Sequence, residues 1–338
     1  MLGAVDQGLL SAVLALGVFL TFRILNFADL TVDGSFTAGT ATAAIIIFNG
    51  GSPIAATFAG LLAGAAAGCV TGLLHTKCHI DPLLASILVM LAMYTVNSHI
   101  MWFGKDGVHR STVPLLNKPT LFTWLVDNSL RGSWVSILSI GLGVAVVVVI
   151  VNWFLSTKFG LAVMATGDNP GMAASMGIST DFAKIVTLMV SNGLVGLSGA
   201  VTAQYVGSSA IGDGTGMILI GLASVILGNA IFGTRFMWLM TVGVVIGSVL
   251  YRVAIFLALQ WEFIDNVDMK LVSAALVVIA LVLSQSKNAH TLVTKLTPWK
   301  QKAAAPEPMS AVPNPFSPMA EIDAATLSAS GGTDGKAD

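Results

Sequence analysis

Gly160-Leu-Ala-Val-Met-Ala-Thr-Gly-Asp-Asn-Pro-Gly-Met-Ala-Ala-Ser-Met-Gly-Ile178 lies between two apolar runs of membrane length. It reads as a short capped helix. Asn169 supplies the N-cap, Pro170 takes the first helical position, where no intrahelical N–H is needed, and Gly177 ends the turn with positive φ. About two helical turns are too few to be stable alone in water. The segment therefore needs a surface to rest on, and beside a many-pass membrane protein the expected surface is another subunit.

The rest of the chain supports a membrane setting. Of its 338 residues, 55% are hydrophobic and 10% charged, whereas soluble domains carry about 25% charged residues. Stretches such as Gly132 to Ser156 hold no ionisable side chain. The formal net charge of −1 leaves no basic patch to neutralise phosphates, which argues against a nucleic-acid partner. Cys69 lies in an apolar run and Cys78 in a loop, so no disulfide is expected between them. His75, Cys78 and His79 cluster, but a zinc site lacks its second half; no metal and no cofactor is expected. The first apolar run has no basic n-region and is expected to stay as a helix.

Apolar segments fall at Gly8–Ile24, Ser35–Phe48, Pro53–Leu74, Pro82–Phe103, Ser133–Leu155, Phe182–Val206, Gly216–Phe232, Phe236–Leu259 and Lys270–Ser284. The chain thus reads as an all-α polytopic membrane protein with eight or nine transmembrane or re-entrant helices. Ser35–Phe48 and Gly216–Phe232 are short for a hydrocarbon core of about 30 Å and are candidates for half-helices. Residues 1–286 form the membrane domain, with 156–181 as its cytoplasmic loop. From 287 to 338, Lys, Pro, Ala, Ser and Gly replace the apolar runs, which reads as a disordered cytoplasmic tail. With the 156–181 loop inside, Arg23, Lys77, Lys158, Lys184, Arg235, Lys287, Lys295, Lys300 and Lys302 lie on the inner side. Lys105, Arg110, Lys118, Arg131 and Lys270 lie outside, and the excess favours this orientation.

Three sets of residues stand out within the spans. Gly60, Gly64, Gly68 and Gly72 fall on one helix face and imply close helix–helix packing. Asn26-Phe-Ala-Asp-Leu-Thr-Val-Asp-Gly-Ser-Phe36 places Asp29 and Asp33 in apolar sequence, where a carboxylate needs a partner or water. Two readings stay open. One is a capped turn at the membrane surface, with Asp33 or Ser35 capping the next helix and Asp29 paired to Arg23. The other is a broken helix lining a translocation path, as in carriers with discontinuous helices. The third set is Asn97, Ser191, Asn192, Ser198 and Gln204, polar residues with two readings open, hydrogen bonds between helices or contact with a solute. Phosphate-loop and nucleotide fingerprints are missing, so this chain is not expected to be an enzyme. If ATP drives it, another polypeptide binds the ATP.

Asn26 to Phe36 and Ala165 to Ile178 resemble the two signatures of ABC-importer permeases of the branched-chain amino acid, ribose and nucleoside permease superfamily. The similarity is strongest to a branch linked to tryptophan or other amino acid uptake. Asn192 to Gln204 and Gly221-Leu-Ala-Ser-Val-Ile-Leu-Gly228 share in it, and together the match spans roughly 8–285. The resemblance implies an inner-membrane permease, paired with a second copy or a paralogue. It also implies an ATP-binding cassette subunit and a periplasmic or lipid-anchored solute-binding protein. Asp168, Asn169, Pro170, Ala173 and Gly177 would then form the coupling helix that docks on the ATP-binding subunit. On our own reading of the residues, Asn26, Asp29, Asp33 and Gln204 are expected to line the path. Relatives usually carry a basic residue near Met164 and often a charged one near Gly171. This chain has neither, so its electrostatic grip on the partner is expected to be weaker or placed elsewhere. From the residues alone, a secondary carrier using Asp29 or Asp33 to bind a proton or cation is the alternative, and a passive channel a further one.

Overall fold

The computed structural model describes residues 1–104, 108, 110–116, 118–123, 133–232, 236–258, 260, 274–275 and 277–278. The last expected apolar segment lies almost wholly, and the expected tail at 287–338 wholly, outside the described residues. The helices are α1 (Leu2–Val18), continued by a π-helical turn over Phe19–Ile24, then α2 (Thr31–Phe48), α3 (Pro53–Thr76) and α4 (Pro82–Trp102). They continue with α5 (Trp134–Ser156), α6 (Lys158–Asp168), α7 (Pro170–Ser175), α8 (Thr180–Val206), α9 (Met217–Phe232) and α10 (Met237–Ala258). Seven of these spans are long and apolar enough to cross a membrane, while α9 is shorter. Among the described residues the fold is all-α apart from one short antiparallel ladder. In it Thr112, Val113 and Pro114 face Ala210, Ser209 and Ser208.

Pro-initiated helices start where the sequence places caps. Ser52 accepts the Ala55 N–H and Asp81 accepts the Leu83 N–H, each followed by Pro at the first helical position. The helix ends at the first signature differ from the sequence reading. The break falls at 25–30 rather than at Asp33, because Asn26 adopts a left-handed φ of 54° and the π turn has already loosened the preceding ladder. Asp33, Gly34 and Ser35 lie inside α2. Asn is among the few L-residues that tolerate this conformation, through its short polar side chain.

α8 is the central element, packed by α1, α2 and α3. Along α3, Gly60, Gly64, Gly68 and Gly72 face Ala200, Asn192 and Gly196, Leu188, and Ile185 of α8 in antiparallel order. A Cβ on Gly64 would fall against the Asn192 carbonyl oxygen, and one on Gly68 against that of Leu188. At Gly196, α2 joins the contact through Gly39, and Gly60 and Gly64 close it from α3. Lipid offers helices no hydrophobic gain on association, so such close backbone approach is what dispersion and weak Cα–H···O contacts require.

Gly64→Leu should therefore lower stability by about 3 kcal/mol, the upper range for overpacking. Gly143→Ala is the control, since no heavy atom lies within 4 Å of its added Cβ. Thermal unfolding of the purified protein in detergent should show a lowered midpoint for the first variant alone.

Candidate functional site

Two helices, not one, occupy the segment after α5. Thr157 Oγ1 accepts the Gly160 N–H at 3.1 Å and starts α6. Asn169 then breaks the chain and caps α7, its Oδ1 accepting the Met172 N–H at 3.0 Å. At the far end Gly177 has φ 82°. The Ile178 N–H reaches Ala173 O at 3.1 Å and the Gly177 N–H reaches Ala174 O at 3.0 Å, the paired bonds of a Schellman end. Asp168, Asn169, Pro170 and Gly177 are exposed. Ala173 is only 2% exposed, while Met172 and Met176 stand out at 61% and 72%. Ala173 thus seats α7 on its own chain, and the two methionines project from it. A Cβ on Gly167 would meet the Ile24 carbonyl oxygen, so α6 lies directly against the π turn.

Beyond that turn, the first signature is tied to α8. Asn192 Nδ2 donates to Asp29 Oδ2 at 2.6 Å, and Ser35 Oγ donates to Asn192 Oδ1 at 2.7 Å. The Thr31 N–H donates to Asp29 Oδ1 at 2.9 Å. Asp29 is 4% exposed, and its partners are these rather than Arg23, which is exposed. Asn26 is exposed at the break. Asp33 does not cap its own helix. Its two carboxylate oxygens accept the Gly216 N–H at 2.8 Å and the Ile218 N–H at 2.9 Å, so it caps α9 from α2. Gln204 Nε2 donates to Thr57 Oγ1 at 2.8 Å and its Oε1 accepts the Leu121 N–H at 3.1 Å. Ser191, Ser198 and Asn97 donate to Gly17 O, Leu10 O and Gly34 O. Both ring nitrogens of His75 are engaged, Nδ1 with Ile80 O and Nε2 with Lys184 Nζ.

A cavity of about 240 Å³ opens between α1, α2, α8, α10 and the start of α9, with Gln7, Thr40, Tyr205, Asp213 and Arg252 in its wall. It lies toward the end of the bundle away from α7, near the start of α1 and the end of α8. Arg252 Nε donates to Ser11 Oγ at 3.1 Å. Asp213 Oδ2 accepts the Ala210 N–H at 2.7 Å. Burial pushes the Asp213 carboxyl above the usual carboxylate range, and the Ala210 amide pulls the other way. Nearby, Asp6 Oδ2 accepts from Ser136 Oγ at 2.6 Å and from the Tyr205 hydroxyl at 2.9 Å. Its other oxygen has no partner among the described residues.

Residues 1–282 match the family model described as the branched-chain amino acid transport system permease component. The chain belongs to that permease family. It is 34% identical, over 89% of its length and 98% of the relative's, to the tyrosine transport system permease protein of Clostridioides difficile (strain R20291). It is 31% identical to the inner membrane ABC transporter permease protein YjfF of Escherichia coli (strain K12), over 71% of this chain and 69% of that one. It is 25% identical to the ribose import permease protein RbsC of Escherichia coli (strain K12), over 66% and 67% of the two chains. This permease is the membrane subunit of an ABC importer for a small solute. As such it works with an ATP-binding subunit and a solute-binding partner.

In the permease, sequence reasoning missed Asp6, Asp213 and Arg252. The signal was available for Arg252, an ionisable side chain inside the Phe236–Leu259 run, since such residues mark functional positions by default; Asp6 falls just before the Gly8–Ile24 run. Asp33→Ala should strip two amide donors at the start of α9 of their acceptor. The expected cost is about 2 kcal/mol, the upper range for a lost helix cap. Hydrogen exchange at 214–218 should speed up while that of α3 stays unchanged.

Proposed function

We propose that the permease carries an amino acid inward by alternating access, paired with a second copy of itself in the bacterial inner membrane. The reading of the solute is supported by the relative named for tyrosine transport. In this arrangement α7 is the coupling helix, turned to the cytoplasm together with the C-terminus. Asp168, Asn169, Pro170 and Gly177 give it its ends, and Ala173 fixes it to the bundle. Met172 and Met176 are the groups that enter the ATP-binding subunit. The observation that carries this reading is a capped helix of six residues whose largest side chains its own chain leaves uncovered. The apolar character of that contact fits the lack of charge at Met164 and Gly171. Unbranched methionine adapts its shape to a groove.

Closure of the ATP-binding subunits would displace α7 and α6 together, and the Gly167–Ile24 contact would pass that displacement to the π turn and the break at 25–30. Two packings of the same helices, with different affinity for the solute, complete the cycle. Asn26, Asp29, Asp33 and Gln204 stand along the path. Asn26 sits at the hinge, Asp29 and Asp33 hold α8 and α9, and Gln204 ties the end of α8 to α3.

Liposomes holding the permease alone should accumulate no amino acid, with or without an ion gradient. Adding the ATP-binding subunit, the loaded solute-binding protein and ATP should start uptake. Changing Met172 and Met176 together to Glu should cut that uptake about tenfold or more, as for lost apolar anchors at an interface centre, without lowering membrane insertion. Gradient-driven accumulation by the lone permease, or normal ATP-driven uptake by the double variant, would overturn the assignment.

A further inference from the structure

We propose that the cavity between α1, α2, α8 and α10 binds a free amino acid as its zwitterion, Arg252 receiving the carboxylate and Asp213 the ammonium group. The inference rests on the reading of the solute as an amino acid, and it adds the site and the charge state in which the solute is held.

Two side chains of opposite sign line one cavity in a chain with 10% charged residues. They are not spent on each other. Arg252 donates from Nε to the neutral Ser11 hydroxyl, and Asp213 accepts from a backbone amide. A charge inside a bundle is costly unless it is paired or faces water, and one kept against a cavity marks a solute or ion site. A guanidinium offers a planar fork of donors that matches a carboxylate. The Asp213 carboxylate keeps acceptor positions beyond the one the Ala210 amide uses. An α-amino acid presents the complementary pair of charges on two groups that share one carbon.

The site is also held in place. Thr37 Oγ1 accepts the Gly214 N–H at 3.1 Å, and Asp33 accepts the next amides at Gly216 and Ile218. The loop that carries Asp213 is therefore pinned to α2 on one side, and Asp213 bonds its own loop on the other. Leu14, Phe36 and Met217 give the cavity an apolar wall where the solute's side chain can lie. At about 240 Å³ the cavity falls below the roughly 300–1,000 Å³ typical for drug-sized ligands, which suits a metabolite. A sugar or nucleoside offers hydroxyls to both side chains but an opposite charge to neither, so the two charges would stay uncompensated in the cavity. An ammonium group beside Asp213 would also favour the ionised carboxylate against the effect of burial.

The test uses the whole importer in liposomes, together with calorimetry on its solute-binding protein against the protein amino acids, tyrosine first. If that receptor binds none of them, the reading of the solute fails and this proposal with it. If it binds one, that amino acid, radiolabelled, is the probe for uptake. Arg252→Gln and Asp213→Asn should each lower the solute carried per ATP hydrolysed by about tenfold or more, the scale of a lost charge-assisted contact. Arg252→Lys should recover part of the loss. Uptake within about twofold of the parent in either variant, well under one contact's worth, would overturn the site while leaving the solute reading intact. So would uptake and hydrolysis falling together, with Arg252→Lys no better than Arg252→Gln, because that pattern marks a structural role.

Discussion

The backbone of α8 touches those of α2 and α3 with almost nothing between them, and the rest of the bundle depends on that contact. Gly39, Gly60, Gly64 and Gly196 meet at one junction. In lipid the apolar faces of helices gain little by leaving one tail environment for another, so dispersion across close surfaces has to supply the attraction. Dispersion falls off steeply with separation. A single Cβ here would not be an extra contact but a wedge, parting three helices at once. The same closeness brings the Asn192 side chain to Asp29 and Ser35. The polar network is thus a consequence of the glycine packing as much as a support for it.

That network decides what the carboxylates of the first signature do. A buried carboxylate is tolerable when several donors surround it. Asp29 has the Thr31 amide and Asn192; Asp33 has two amides at the start of α9. An acidic side chain at a helix N-terminus also meets the positive end of the helix dipole. α9, at 16 residues, falls short of the roughly 20 needed to span a hydrocarbon core. Its first amides therefore lie where water is scarce, and Asp33 replaces the water they would otherwise need. The side chain that sequence reasoning assigned to a path is also the anchor of the loop carrying Asp213.

Much of this was legible in the chain itself. The apolar runs and the Ser52–Pro53 and Asp81–Pro82 starts set the helix boundaries within a few residues. The caps of α7, Asn169, Pro170 and Gly177, are local and needed no tertiary knowledge. The four-residue glycine spacing announced close packing, but not which helix would fill it, because a small-residue stripe has no partner written into it. What could not be read is long-range. Asp33 and Ile218 are joined across 185 positions, and no local pattern distinguishes a carboxylate capping its own helix from one capping another. Asp213 and Arg252 come to one cavity only after the bundle closes. The break at 25–30 was misplaced because Asp33 and Ser35, on either side of Gly34, read as caps for the next helix. Inside α2 that glycine serves closeness to α4, where an added Cβ would press on Met93, and the left-handed turn fell to Asn26.

The placement of the break explains how one chain can be rigid and still move. The junction at α8 has no slack, so in the proposed cycle α2, α3 and α8 would travel as a body. The π turn is different: it ends α1 with bonds to carbonyls five or six residues back, Leu25 N–H to Leu20 O at 3.0 Å and Phe27 N–H to Thr21 O at 2.9 Å. A wider ladder of this kind interrupts helices at functional positions. Next to it Asn26 holds the one positive φ in this junction, and backbone that departs from helical geometry is where a rotation is least costly. α6 bears on this same point through Gly167. In the proposed coupling, a push delivered at the capped helix would meet the one stretch between α1 and α2 that is not continuous helix, and the glycine-packed core beyond it would shift without deforming.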